Sequence, residues 1–288
     1  MLQRDGLFFL LLLFTVACKG QAPQPADFTP DFTPEDRALF ERYLQATETK
    51  ATLPSGDLII ETARFFMETP YAASTLEKEP ERLTVNLREM DCTTFVETCI
   101  ALARTRKAPN PSFELFCDHL RQLRYRDGVI RDYTDRLHYF SDWLYENERK
   151  GFVRDMTLST GGKPRRVNVS FMSAHPDRYP ALQSHPERVQ VIRRKEREIT
   201  ARNGYAMIPE ADVAGCSGNM RNGDIVCFVT SLEGLDIAHL GFIHRKGNAT
   251  SFIHASSSAK KVIAEPRSLQ QYVHAVRTTV GLMIVRPE

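Results

Sequence analysis

The chain has 288 residues, 42% hydrophobic and 26% charged, enough to bury a large core in one domain or two. Its formal net charge is only +2, so no strong basic field points to nucleic acid as a partner. The run Arg193-Arg194-Lys195-Glu196-Arg197-Glu198 alternates in sign and reads as a solvated helix face rather than a binding patch.

Residues 1–17 read as a secretory signal. Leu7 to Ala17 is apolar except for Thr15, too short to span a bilayer as a mature helix but suited to the apolar region of a signal peptide. The run ends Phe14-Thr15-Val16-Ala17-Cys18, which resembles the lipobox of bacterial lipoproteins, with Thr15 where leucine is usual. The expectation is an exported, periplasmic protein whose only membrane contact is a lipid carried on Cys18. Residues 18–33 then form a Pro-rich tether, and residues 34–288 a single domain, expected to be a monomer. Export leaves Cys92, Cys99, Cys117, Cys216 and Cys227, an odd number, so at least one thiol is unpaired. Cys92 and Cys99 lie on one predicted helix, roughly 10 Å apart in rise, too far to bridge.

Thr33-Pro34 starts a helix that runs to about Thr47, and a second spans about Ser55 to Glu68. Asp91 caps a third, on which Phe95, Val96, Cys99, Ile100, Leu102 and Ala103 recur at helical spacing to about Arg106. Cys92 falls in its first turn, where free amides and the helix dipole favour a thiolate, the form a nucleophile needs. A small buried residue at a helix start is the other reading. A fourth helix starts at the Asn110-Pro111 cap and runs to about Arg124. The stretch that follows is the least periodic and holds Arg136, His138, Tyr139 and Trp143, side chains that suit sugar or carboxylate recognition, or packing. A short helix ends at Gly151, and residues 187–202 form another.

From residue 204 the chain changes to short β segments at Tyr205–Ile208, Asp224–Thr230, Ala238–Arg245, Thr250–Ala255, Lys261–Ala264 and Thr278–Val285. Their connections are mostly too short for helical crossovers, which predicts an antiparallel meander, interrupted by a helix at about Ser268 to His274. Helices first and strands later indicate an α+β fold. Three of the eight histidines, His239, His244 and His254, fall here. His239 shares a strand face with Gly241 and Ile243, and His244 points to the other. If consecutive strands pair, His239 and His254 are neighbours, and one could act as base toward a thiol while the other fixes its tautomer. A pair of satisfied sheet histidines is the plain alternative. The chain has no HExxH, no GxSxG elbow and no phosphate loop, so neither metal nor cofactor is expected.

Pro70-Tyr71, Asp91-Cys92, Gly223-Asp224-Ile225, His239 and His254 come in an order that resembles the NlpC-type cell-wall cysteine peptidase superfamily. The segments Val85 to Phe95, Arg136 to Trp143, Gly234 to Gly241 and His254 to Ser257 resemble, more closely, its N-acetylmuramoyl-L-alanine amidase-like branch. The resemblance spans roughly residues 55 to 287. It implies a papain-like fold, with the catalytic cysteine at a helix N-terminus packed on an antiparallel sheet and additional N-terminal and inserted helices. It implies a peptidoglycan or muropeptide substrate, cut at the amide between the lactyl group of muramic acid and L-Ala. Cys92 would be the nucleophile, His239 the base and His254 its orienter, with the Cys92 amide and the Tyr71 hydroxyl holding the oxyanion. Asp91, in the place where the superfamily helps bind the substrate's stem peptide, would cap and position first. Arg136, His138, Tyr139 and Trp143 would recognise substrate. An endopeptidase cutting within the stem peptide, or a wall-binding lipoprotein without activity, are the alternatives.

Overall fold

Pairing in the computed structural model, which describes residues 29–247 and 249–288, begins at Asp31. The expected signal segment, Cys18 and residues 18–28 of the tether lie outside the described residues. The last residues of that tether belong to the fold: Asp31 exchanges backbone hydrogen bonds with Leu83 and Val85, each 2.8 Å, and the Phe32 ring packs on Phe113.

Helices α1 (Pro34–Ala46), α2 (Ser55–Phe65), α3 (Cys92–Lys107), α4 (Phe113–Arg124) and α5 (Phe140–Arg149) form the first half. Asp36, fully buried in the first turn of α1, organises its start. Its Oδ2 accepts the Thr33 amide and hydroxyl, and its Oδ1 accepts the Leu87 amide at 2.8 Å and Arg88 Nε at 3.2 Å. That carboxylate ties α1 to the segment that leads into Cys92. α4 begins later than expected, because the Ser112 hydroxyl accepts the Leu115 amide and is the cap, leaving Pro111 ahead of the helix. α3 is buried almost all round rather than on one stripe, with Glu97, Thr98 and Thr105 enclosed along with its apolar residues. Shorter helices follow: α6 (Thr157–Thr160), α7 (Phe171–Ala174), α8 (Pro180–Gln183), α9 (Pro186–Ala201), α10 (Val213–Cys216) and α11 (Leu269–Ala275).

The strands are β1 (Val153–Asp155), β2 (Lys163–Pro164), β3 (Ala206–Pro209), β4 (Ile225–Thr230), β5 (Ile237–Lys246), β6 (Ala249–Ser256), β7 (Lys261–Ala264) and β8 (Thr279–Pro287). The sheet order is β2-β3-β8-β4-β5-β6-β7, with β1 also on β8, and every strand pairing is antiparallel. The expected meander holds from β4 to β7. β8 departs from it: α11 carries the chain back across the sheet, and β8 inserts between β3 and β4, Cys227 facing Met283 and Ile208 facing Leu282. All six residues of β4 and most of β8 are buried, so both strands need cover on two faces and take central places. One face packs on α3, where the Phe95 and Phe242 rings meet at 5.8 Å. The other, with Phe228, Ile243, Phe252 and Ile284, packs on Leu269 and Val273 of α11. A third cluster joins Tyr133 and Tyr139 to α7, α8 and α9. The architecture is α+β with an antiparallel sheet. None of Cys92, Cys99, Cys117, Cys216 and Cys227 forms a disulfide.

Asp36→Ala strips the cap from α1 and leaves the buried Leu87 amide without a partner. It is expected to lower stability by about 2–4 kcal/mol. Urea unfolding checks this, with a lower midpoint at an unchanged slope.

Candidate active site

Cys92 occupies the first helical position of α3. Asp91 Oδ1 accepts the Thr94 amide at 2.8 Å and its hydroxyl at 2.9 Å, while Thr94 Oγ1 accepts the Asp91 amide at 2.9 Å. This reciprocal pair holds the first turn rigidly. The Cys92 amide lies among the first-turn donors that no helical carbonyl satisfies. The β5–β6 ladder starts only at Phe242 and Ile253, and beside that opening the Leu240 amide is directed at the Cys92 sulfur.

The thiol is not the expected thiolate. Burial pushes it up to about 12, the Asp91 carboxylate adds to the rise, and the Leu240 amide, the Thr93 hydroxyl and its own amide only partly oppose it. A helix N-terminus contributes about 0.3–1 kcal/mol toward an exposed anion, less than enclosing a thiolate costs. Tyr71 is placed beside it: its backbone bridges to Met90, two residues before the cysteine, and Cys92 and Asp91 add to the burial that raises its phenol.

His239 Nε2 and His254 Nδ1 are 2.6 Å apart. The two histidines are diagonal neighbours, since extending the β5–β6 register by one sets His254 opposite Gly241. A Cβ at Gly241 would lie 2.8 Å from the Phe252 ring and 3.1 Å from His254 Cβ, so glycine makes the room in which His254 leans toward His239. Phe228, Phe252 and Tyr272 enclose the two rings. Burial, then the neighbouring His254, lowers His239 to about 3, and burial lowers His254 to about 4 against the pull of Glu265, so both imidazoles are neutral near neutral pH. His244, on the opposite face as expected, contacts Arg64 at 3.1 Å.

Cys92 and His239 open into one cavity of about 230 Å3, walled on its far side by Tyr133, His138, Trp143 and Tyr179. The four residues of the irregular segment are placed differently from one another. His138 donates Nε2–H to the Tyr133 carbonyl at 2.8 Å and, held at about 3 chiefly by burial and then by Arg136, keeps Nδ1 as a bare acceptor. The Tyr139 hydroxyl donates to Glu196 at 2.7 Å and accepts the Met172 amide at 2.9 Å, joining α7 to α9. Trp143 donates to Glu97 Oε1 at 3.2 Å, and Arg124 Nε bonds Glu97 Oε2 at 2.7 Å. Arg136 stands behind the wall, buried, bonding Glu77, Glu81 and the Leu76 carbonyl, with its guanidinium over the Tyr133 ring.

Sequence reasoning passed over Glu77, Tyr179, Glu265 and Tyr272. Glu77 lines the cavity, and its Oε2 is buried without a partner. Glu265 and Tyr272 reach His254 only through the β6–β7 register and the docking of α11. No local pattern announces any of them. Among the described residues, no three or more of His, Cys, Asp and Glu cluster as metal ligands.

A neutral thiol beside a neutral imidazole predicts the alkylation profile of Cys92. Its rate with iodoacetamide is expected to climb steadily with pH through and beyond 9, the ordinary value of a thiol. A plateau from acid to neutral pH would show a preformed ion pair instead. The depressed His138, His239 and His254 set a second expectation. Below their ordinary value of 6.5 the unfolded chain binds more protons than the folded one, so stability falls as pH drops through that value. Denaturation midpoints across the acid range measure it.

A family model described as N-acetylmuramoyl-L-alanine amidase-like (AmiA-like) matches residues 61–280, a span that holds Tyr71, Cys92, His239 and His254. The structure is similar to a N-acetylmuramoyl-L-alanine amidase from Bacteroides uniformis ATCC 8492, at 34% identity and a TM-score of 0.77, over 81% of this chain and 99% of that one. It is similar to a presumptive xylanase from Bacteroides fragilis, at 33% identity and a TM-score of 0.74, over 78% and 98% of the two chains. A Legionella pneumophila protein at 22% identity shares the fold, with a TM-score of 0.66 over 88% and 94%. No curated relative matches. With its cysteine, the cavity that this cysteine shares with His239, and the His239–His254 pair all inside the matched span, the chain belongs to the N-acetylmuramoyl-L-alanine amidase-like family.

Proposed function

We propose that the protein is a cysteine-dependent amidase of peptidoglycan fragments, cutting between N-acetylmuramic acid and the L-Ala of the stem peptide. The observation that carries the mechanism is the 2.6 Å contact between His239 and His254, with His239 lining the same cavity as Cys92. As Cys92 Sγ bonds to the lactyl carbonyl carbon, the thiol proton passes to His239, so charge develops only with substrate in place. The Cys92 amide and the Tyr71 hydroxyl hold the oxyanion, and a phenol raised above its ordinary value keeps the proton it donates. His239 then gives its proton to the L-Ala nitrogen, the C–N bond breaks, and water activated by His239 hydrolyses the thioester.

Asp91, committed to Thr94, serves as cap and positioner. His138, Tyr139 and Trp143 shape the substrate wall, and Arg136 acts on it from behind through Glu77. A cysteine at a helix N-terminus against an antiparallel sheet that bears the histidine supports the NlpC-type, papain-like reading. Membership in a cell-wall amidase family supports export, with residues 1–17 as signal and Cys18 as the lipid-bearing residue. Residues 34–288, onto which Asp31 and Phe32 pack, are read as one monomeric domain. Among the described residues, no helix is long and apolar enough to cross a membrane.

The xylanase name borne by one similar structure does not transfer readily. Glycoside hydrolysis needs two carboxyl groups free to act as acid and as nucleophile or base. Here Glu97 is bonded by Arg124 and Trp143, Asp236 by Ser141 and the Ile237 amide, and one oxygen of Glu77 by Arg136.

Mass spectrometry of products from a defined disaccharide-peptide tests the reading. A new amine on L-Ala is expected, with turnover unaffected by EDTA and reduced at least about 1000-fold in Cys92→Ala. An amine on D-Ala or on the diamino acid would make the protein an endopeptidase, and binding without product would make it a wall-binding protein.

A further inference from the structure

The polar chain behind the nucleophile does not stop at His254. Glu265 follows β7 directly, and its amide donates to the Phe252 carbonyl at 2.9 Å, which pins it against β6. Its side chain is 4% exposed, and Oε2 lies 3.6 Å from His254 Nε2, a nitrogen that is buried with no closer polar partner. Arg267 grips the carboxylate from outside, Nε to Oε1 at 2.6 Å and the terminal nitrogen to Oε2 at 3.2 Å. The Arg267 guanidinium lies 4.8 Å over the Tyr272 ring, which in turn packs against both imidazoles. Burial alone would raise the Glu265 carboxyl, but the Arg267 bonds and charge hold it below its ordinary value, so it is ionised.

A neutral imidazole has one N–H and one bare nitrogen, and a carboxylate only accepts. With Glu265 facing Nε2, the His254 proton belongs on Nε2, and its Nδ1 is the acceptor in the 2.6 Å contact. The proton in that contact therefore belongs to His239 Nε2, which leaves His239 Nδ1 bare. Reverse the first orientation and every later one reverses. His254 would donate from Nδ1, His239 would carry its proton on Nδ1, and it could not take one from a thiol there.

We infer that Glu265 is a positioning residue that fixes the tautomers of both histidines, so that His239 presents an unprotonated Nδ1 to Cys92. The inference rests on reading Cys92 as nucleophile and His239 as base. In the attack step, the S–H proton moves to His239 Nδ1 as the carbon–sulfur bond forms, and Glu265 stays ionised throughout. Arg267 acts one step further out, keeping Glu265 charged.

The test is Glu265→Gln in the whole protein. Arg267 would hold the amide oxygen, which turns the NH2 toward His254 Nε2 and inverts the relay. Long-range 1H–15N spectra of histidine-labelled protein are expected to show both His239 and His254 as Nε2–H in the wild type, and both as Nδ1–H in the variant. kcat and the rate of Cys92 alkylation near neutral pH are each expected to fall at least about 100-fold, with KM within about twofold, and Glu265→Asp is expected to recover part of the loss. An unchanged kcat with unchanged tautomers in a folded Glu265→Gln protein overturns the inference. So does a wild-type spectrum with the His239 proton on Nδ1, a result that needs no variant to fold. Spectra and alkylation require no substrate, so an enzyme that releases no L-Ala amine but shows the expected tautomers and their inversion upholds the assignment while the amidase reading fails.

Discussion

The first turn of α3, locked by the Asp91–Thr94 exchange, is wedged against β5 where the β5–β6 ladder stops. Seating it there encloses the helix on nearly every side, which forces its one interior carboxylate to find partners. Glu97 meets Arg124 from α4 and Trp143 from α5, and Arg124 also reaches the Thr84 carbonyl at 2.7 Å. A buried ion pair of this kind adds little net stability, but removing either partner costs about 3–5 kcal/mol, so it fixes which helices surround α3. Asp36 does the same for the chain entering Cys92, from the far side.

The same enclosure decides the electrostatics. Desolvated by what packs around them, Cys92 holds its proton and His239 and His254 shed theirs, so these three groups rest uncharged. On the proposed mechanism, transfer from thiol to imidazole is coupled to substrate binding rather than completed beforehand. The orientation of the histidine protons then matters more than any acidity of the free thiol. Orientation is what a buried carboxylate two groups away can govern.

The segment between α4 and β3 supplies the far wall of the cavity, built on its own cluster of Tyr133, Tyr139 and the α7–α9 helices. It contributes aromatic rings and a neutral imidazole, beside the half-bonded Glu77 from the segment between α2 and α3, while its arginine at 136 is spent on internal carboxylates. The surface offered to a ligand there is aromatic and hydrogen-bonding more than cationic. The half that holds Cys92 and His239 and the wall also meet at Asp236, which accepts the Ser141 amide at 2.7 Å and the Ile237 amide at 2.9 Å, joining the start of α5 to the start of β5.

Local chemistry was legible in the residues themselves. Asp91 as a cap places Cys92 in the first turn, alternation along β5 separates His239 from His244, and short connections make β4 to β7 a meander. Each of these depends on neighbours within a few residues, where steric and hydrogen-bonding preferences act directly. Three things were decided only in the folded chain. β8 sits between β3 and β4 because two largely apolar, buried strands must both be covered. Arg136 is a clamp because Glu77 and Glu81 converge on it from more than fifty residues away in sequence. The thiol stays protonated because desolvation, a property of everything packed around it, exceeds what a helix end contributes. Glu265 belongs with them: nothing near it in sequence marks it, and only the β6–β7 register brings its carboxylate to His254.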